Sequence, residues 1–280
     1  RVKSEEPLSG GVWARRDQAK NELGLGDTLR VTLLDDYLLA KASYEYATRL
    51  PDTDEIFGNG VLVSENLTLA PERGHNANLG AQLDLRATKA GGFWAEMNGF
   101  VRDTRDQIIL LGRDVYRYEN IYRARSLGIE TSFKWISPGR YLTLDGQVTY
   151  MDQRNVSSSG TYGEFKGDRL PNRPWMFASW GGFLHFEGVL MRADRIEPFY
   201  QGRYVHDFFF GWESVGQRDS KATIPRQLSH AIGITYAFDV RQKSLYATFD
   251  IQNLVDAKLY DAFGVQRPGR GYYLKLVAEL

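Results

Sequence analysis

Ser244-Leu245-Tyr246-Ala247-Thr248-Phe249-Asp250-Ile251-Gln252-Asn253 decides the fold. Leu245, Ala247, Phe249 and Ile251 fall on one parity and Tyr246, Thr248, Asp250 and Gln252 on the other, so a strand here has one apolar and one polar face. About ten residues of tilted strand cross a hydrocarbon layer, provided that only one face meets lipid.

The pattern recurs outward from this segment. Leu79 to Arg86 sets Leu79, Ala81, Leu83 and Leu85 against Gln82, Asp84 and Arg86, and Leu127 to Trp135 sets Leu127, Ile129, Phe133 and Trp135 against Glu130, Ser132 and Lys134. Tyr141 to Tyr150 opposes Leu142, Leu144, Val148 and Tyr150 to Thr143, Asp145 and Gln147, and Tyr272 to Leu280 opposes Leu274, Leu276, Ala278 and Leu280 to Tyr273, Lys275 and Glu279. Further strands are expected over Leu38–Thr48, Phe93–Arg102, Trp175–Phe186, Arg203–Trp212 and Gln227–Asp239. Met176 to Tyr200 is irregular, and Arg192-Ala193-Asp194-Arg195 reads as a short helix or bulged turn. Short connections near Ala87–Gly92, Ile136–Arg140 and Val240–Lys243 alternate with long polar ones near Pro51–Asn76, Asp103–Tyr122, Asn155–Pro174, Glu213–Arg226 and Leu254–Gly269. That asymmetry fits periplasmic turns and extracellular loops. Trp135, Tyr141, Tyr150, Trp175, Trp180, Trp212 and Tyr272 fall near expected strand ends, where an interfacial aromatic girdle would sit.

The expected fold is therefore all-β: a transmembrane antiparallel β-barrel wall with roughly 10–12 strands in residues 1–280, located in the bacterial outer membrane. A soluble β-sandwich competes, but its strands usually run about 5 or 6 residues. Composition agrees with many strands and turns, with 28 glycines, 16 tyrosines and 15 phenylalanines in 280 residues. Thirty-five basic and 35 acidic side chains cancel, which leaves no broad positive field for nucleic acid. There are no cysteines, which excludes disulfide scaffolds and thiolate chemistry. No apolar run reaches the roughly 20 residues of a membrane helix, and a mean hydropathy of -0.41 suits a barrel with wet lumen and loops. Arg1-Val2-Lys3-Ser4-Glu5-Glu6 lacks a signal-peptide apolar region, so an exported chain has either lost its signal or follows a longer upstream piece.

No enzyme constellation is present. His75, His185, His206 and His230 are far apart without HExxH spacing, and neither a GxSxG elbow nor a P-loop occurs, so no catalytic residue, metal site or cofactor is expected. Asp84, Arg86, Glu130, Lys134, Asp145, Asp250 and Lys275 lie on the polar parity, where they would line a wet lumen or meet a plug. Gly58-Asn59-Gly60 reads as a loop turn, and the glycosylation-like Asn66-Leu67-Thr68 and Asn155-Val156-Ser157 are incidental in a bacterial barrel.

Three blocks resemble the second half of a TonB-dependent outer-membrane receptor. They are Ser43-Tyr44-Glu45-Tyr46-Ala47-Thr48-Arg49-Leu50-Pro51 with Glu55-Ile56-Phe57-Gly58; Asn66-Leu67-Thr68-Leu69-Ala70-Pro71-Glu72 with Asn76 and Leu79-Gly80; and Gln252-Asn253-Leu254-Val255-Asp256 with Tyr260 and Pro268-Gly269-Arg270-Gly271-Tyr272. Glu119-Asn120 and Gly128-Ile129-Glu130 resemble a further strand entry. Locally, Pro51 would end one strand and Pro71-Glu72 precede the next; Asn253 would bond the backbone as its strand leaves the wall, and Gly269 would take a conformation other residues resist. The chain ends in Leu280, where such barrels commonly close on an aromatic residue.

The resemblance implies a 22-stranded barrel with an N-terminal plug, of which this chain is the C-terminal portion without the plug. An open half-barrel in lipid would expose edge backbone groups, so the partner would be an N-terminal barrel and plug polypeptide, cleaved or separately encoded, that links to TonB. A small closed barrel is the structural alternative. The implied function is TonB-dependent import of a scarce ligand such as a ferric siderophore; carbohydrate, vitamin or peptide would use similar contacts. Loop contacts would come from Arg113, Tyr116, Arg117 and Tyr118, from Trp212 and Arg218, and from Tyr260, Phe263 and Arg267. Lipid, lipopolysaccharide and a surface lipoprotein are the other expected partners. A non-transporting adhesion, signalling or secretion barrel and a passive porin remain as the alternative functions.

Overall fold

The computed structural model describes residues 2–8, 12–18, 23–34, 37–112, 115–216, 223–240, 243–261 and 264–279. Eleven strands form one antiparallel meander: β1 (Leu25–Leu33), β2 (Leu38–Arg49), β3 (Glu72–Thr88), β4 (Gly91–Gly112), β5 (Tyr116–Ile136), β6 (Leu142–Asn155), β7 (Met176–Leu184), β8 (Asp194–Val205), β9 (Gln227–Val240), β10 (Lys243–Gln252) and β11 (Gly271–Glu279). Each pairs with its neighbour in sequence, and β1 and β11 form the two edges. Val63–Ser64 adds to β5 and Phe186–Glu187 to β8, while Val2–Leu8 pairs with Val12–Gln18 and Phe208–Phe209 with Thr223–Ile224 in two small separate sheets.

The registers carry the two-faced pattern across the wall. One rung runs Leu29, Ala42, Leu79, Gly99, Ile129, Tyr150, and the adjacent one runs Arg30, Lys41, Gly80, Asn98, Glu130, Thr149. The first face leaves Leu79 70% and Leu276 73% exposed within this chain, together with Met97, Val101, Leu127 and Ile234. Apolar exposure so continuous on one side of a sheet matches a lipid-facing wall.

Glycines supply sockets inside the strands as well as turns. Phe100 opposes Gly128, Phe133 opposes Gly146, Trp180 opposes Gly202 and Phe199 opposes Gly233, each directly across a strand pair. A Cβ on Gly202 would stand 2.2 Å from the Trp180 ring, and one on Gly233 2.3 Å from Phe199. The aromatic ring thus covers the bare backbone of the next strand and replaces packing that glycine cannot provide.

Several sequence expectations change. Asp103–Tyr122 is no loop: β4 runs 22 residues and β5 runs 21, so this hairpin extends well beyond the apolar band to a turn after Gly112. Arg102-Asp103-Thr104-Arg105-Asp106 lacks alternation because strands outside lipid have two wet faces, and Asp106, at positive φ, interrupts the β4–β5 ladder between Arg105 and Gln107 without shifting its register. The strand expected over Arg203–Trp212 is instead Asp194–Val205. Of the two readings of Arg192-Ala193-Asp194-Arg195, helix or turn, the turn forms, because the buried Asp194 carboxylate accepts the backbone N–H groups of Val189, Leu190 and Met191 at 2.8–3.0 Å. The strand Leu25–Leu33 escaped the sequence reading altogether.

Candidate functional site

The long connections lie together at one end of the wall, held by polar side chains that replace missing ladder partners. At the top of β2, Arg49 forks between two carboxylates. Its Nη1 and Nη2 donate to Glu55 at 2.8 and 3.1 Å, while Nε and Nη2 donate to Glu72 at 2.9 and 2.8 Å. Glu72 is buried and also accepts from Gln107 Nε2 and from the buried Ile108 N–H, both at 2.7 Å. Residues on β2, on a short helix (Thr53–Phe57), on β3 and on β4 are thereby tied at one point. Asn120 does related work, its Oδ1 accepting from Ala70 N–H and its Nδ2 donating to the carbonyls of Ala70 and Asp106.

Other motif residues act on their own backbone. Asn59 Oδ1 accepts from the N–H groups of Val61, Leu62 and Val63, which makes Gly58-Asn59-Gly60 a capped turn. Asn66 and Asn155 are buried and internally bonded, to Tyr118 O and Tyr162 O respectively. Asn253 bonds both backbone groups of Ala257 at 2.9 Å as β10 leaves the wall, as its sequence position implied. Gly269 is required for closeness rather than for an unusual φ, since a Cβ there would lie 2.4 Å from Asp256 Oδ1.

The expected ligand-contact residues divide. Tyr116 is buried edge-on to Phe210 at 5.8 Å, and half-buried Trp212 stacks on Phe165 at 4.7 Å over a cluster of Ile109, Ile121, Ala124 and Leu170. Trp212 is therefore a loop-packing residue and lies outside any interfacial girdle. Burial first, and then neighbouring Glu119, pushes the nearby Tyr162 phenol up to about 12. Tyr260 packs against Val205, Phe208 and Ile224, and Tyr118 is half-buried with its carbonyl bonded to Asn66. Arg117, 3.8 Å from Glu119, and Arg267 keep exposed side chains. Arg113, Arg218 and Phe263 lie outside the described residues.

Of the polar-parity residues, Asp84, Glu130, Lys134, Asp145, Asp250 and Lys275 share the face opposite the apolar one, with Lys134 directly across from Asp145 and Lys275 across from Thr248. The side chain of Arg86 is outside the described set. Lys41 and Glu96 form a 2.5 Å ion pair on this face. Several clefts open there. One of about 710 Å³ brings expected residues Asp145, Asp250 and Arg267 together with Gln201, Arg203 and Tyr273. Asp250 Oδ1 is buried in that region and takes no hydrogen bond. Another, about 390 Å³, is lined by Arg49, Glu72, Asn76, Arg102 and Gln153 among others. Arg102 and Arg203 were not anticipated; polar parity alone could have found both.

On the opposite face, just past the apolar band, Asp103 accepts from Arg123 at 2.7 and 2.8 Å and from Arg125 at 2.9 Å. The Arg123 hydrogen bonds chiefly, followed by those of Arg125, hold the Asp103 carboxyl below its ordinary 3.8. Because the folded value is depressed, the resulting stabilisation is complete above about pH 4 and is lost as pH falls through the folded value. The arginines are 42% and 48% exposed, so the contribution is no more than about 1 kcal/mol. Urea unfolding of Asp103→Asn and the parent is expected to differ at pH 7 and to converge as the pH is lowered through the depressed titration of Asp103.

No curated protein matches the chain. The signature of the family described as "TonB dependent receptor-like, beta-barrel" matches residues 17–254. Among solved structures, the copper transporter OprC is similar with a TM-score of 0.64 and 18% identity, over 89% of this chain and 38% of that one. BauA, the ferric preacinetobactin receptor from Acinetobacter baumannii, gives 0.63 and 17% over 90% and 35%. The ferric enterobactin receptor PfeA from Pseudomonas aeruginosa gives 0.61 and 16% over 91% and 40%. At these identities the likeness is one of fold, and the chain spans well under half the length of each of those proteins. The family match over most of the chain, on a meander with one apolar and one polar face, shows that this chain belongs to the TonB-dependent receptor β-barrel family, non-catalytic proteins of the bacterial outer membrane.

Proposed function

We propose that these residues form the C-terminal half of the wall of a TonB-dependent importer for a scarce ligand, of the ferric-siderophore class. The observation that supports this reading is the eleven-stranded meander, whose edge strands β1 and β11 pair on one side only among the described residues, against the 22 strands of such transporters. In lipid, each unpaired edge group costs several kcal/mol, so both edges join further strands of the same receptor. Those strands and a plug come from an N-terminal polypeptide, cleaved or separately encoded, through which TonB acts. Asp84, Glu130, Lys134, Asp145, Asp250 and Lys275 then face the lumen and the plug.

Of the loop candidates, Arg117 and Arg267 present cations to an anionic chelate, whereas Tyr116, Trp212 and Tyr260 hold the loops that position them. Asp145 and Asp250 line the same cleft as Arg203 and Arg267, which supports a charged passage next to the loop cations. Deleting the gene and growing cells on single iron sources tests the reading, with the mass of the purified receptor measured alongside. The expected result is growth loss on one ferric chelate, together with recovery of this chain alongside a plug-bearing piece. Unchanged growth on every iron source, or a folded receptor containing only these strands, would contradict it.

A further inference from the structure

The outward face of the wall concentrates charge at one height. Val101 opposes Leu127 in the last apolar rung of β4 and β5; the next residues on the same parity are Asp103 opposite Arg125, then Arg105 opposite Arg123. Arg125 in turn faces Arg154 on β6. Two residues of strand advance about 7 Å, so on β4 and β5 the cluster begins one step beyond the apolar band, on the side of the long connections, while on β6 Asp152 stands across from Leu127 in that last rung.

The arrangement is built twice. Asp103 is shared by Arg123 and Arg125, and Asp152 is shared by Arg154 at 2.6 Å and Arg169 at 2.9 Å. Arg169 lies over the Trp175 ring at 4.9 Å, the kind of aromatic that marks a membrane interface. One carboxylate between two guanidinium groups fixes their planes and leaves a positive excess. Glu213, 3.8 Å from Arg154, offsets part of it, and exposed Arg105 adds to it. Below the cluster, Leu79, Met97, Val101, Leu127 and Ile129 offer a continuous apolar surface. A partner must therefore be anionic at one level and greasy immediately beneath.

We propose that this patch binds the phosphate groups of lipopolysaccharide, with the acyl chains lying along the apolar rungs below. Guanidinium groups suit phosphate through paired N–H donors, and the aspartates hold those donors in place before the lipid arrives. The inference rests on the outer-membrane wall reading and adds to it a specific annular lipid site.

The test uses the complete receptor, with every chain that co-purifies, in a neutral detergent. Binding of bis-phosphorylated lipid A and of its dephosphorylated form is measured by native mass spectrometry. The intact receptor is expected to hold the phosphorylated form at least 10-fold more tightly, with the preference shrinking as salt rises. The variant R105Q/R123Q/R125Q/R154Q, with folding checked by heat-modifiable gel mobility, is expected to lose that preference while binding the dephosphorylated lipid as before. Equal affinity of the intact receptor for both lipids would overturn the proposal and needs no variant; so would a folded variant that keeps the preference. Failure of the parent to insert into vesicles would instead overturn the wall reading itself.

Discussion

Replacing Glu72 by alanine is expected to lower stability by about 2–4 kcal/mol and to free the loop that follows β2. Glu72 is 8% exposed and is the common acceptor for Arg49, Gln107 and the Ile108 backbone. Truncation leaves a buried N–H unsatisfied and removes one of the three carboxylates around Arg49, the others being Glu55 and the more distant, exposed Asp52. Because Arg49 is itself 41% exposed, water recovers part of its loss, and the figure stays below that of a fully buried pair. Glu72→Gln keeps an acceptor for Ile108 and is expected to lose about half as much. Urea unfolding in detergent measures both, and limited proteolysis between residues 50 and 71 reads the loop. A Glu72→Ala receptor as stable and as protease-resistant as the parent would show that the knot holds nothing.

Gly128→Val is expected to be the more damaging change, with a cost above about 3 kcal/mol or failure to assemble. A Cβ there would stand 2.3 Å from Phe100 Cζ and 2.6 Å from the Tyr150 carbonyl oxygen. The ring could turn away only by leaving a site where it is 4% exposed, and the carbonyl belongs to the neighbouring strand and cannot move without breaking the ladder. Trimming the ring in Phe100→Ala/Gly128→Val is therefore expected to rescue little, because the backbone contact remains. Folded yield after refolding and heat-modifiable mobility decide it; full recovery in the double variant would place the whole clash on the ring.

What could be read in the sequence followed the solvent on each side of a strand. Leu245 to Ile251 alternates because its two faces meet different media, and its strand appears within one residue of expectation. β4 and β5 were cut short at Arg102 and Leu127 because the alternation stops where lipid stops, although the ladder continues to Gly112. Leu25, Leu29, Val31 and Leu33 do alternate with Thr28, Arg30 and Thr32, but Asp27 on the apolar parity obscured the period. At Asp194 a charge that read as a strand breaker is the cap that makes the turn. The loop aromatics were harder still. Nothing near Trp212 in sequence announces Phe165, and stacking across 47 positions is a tertiary fact. Residue type identified both as aromatic and exposed-looking; only the packed loops separate anchors from contacts.

Single cysteines provide the most direct test of the wall itself, since the chain has none of its own. Spin labels placed one at a time from Leu127 to Trp135 in the complete receptor, reconstituted in vesicles, report whether each site meets oxygen in lipid or a water-soluble nickel chelate. The expected result is a strict period of two, with Leu127, Ile129, Phe133 and Trp135 oxygen-accessible and Gly128, Glu130, Ser132 and Lys134 shielded from it. Uniform access to the nickel chelate along the segment, or the opposite phase, would contradict the assignment of one face to lipid and the other to an enclosed interior.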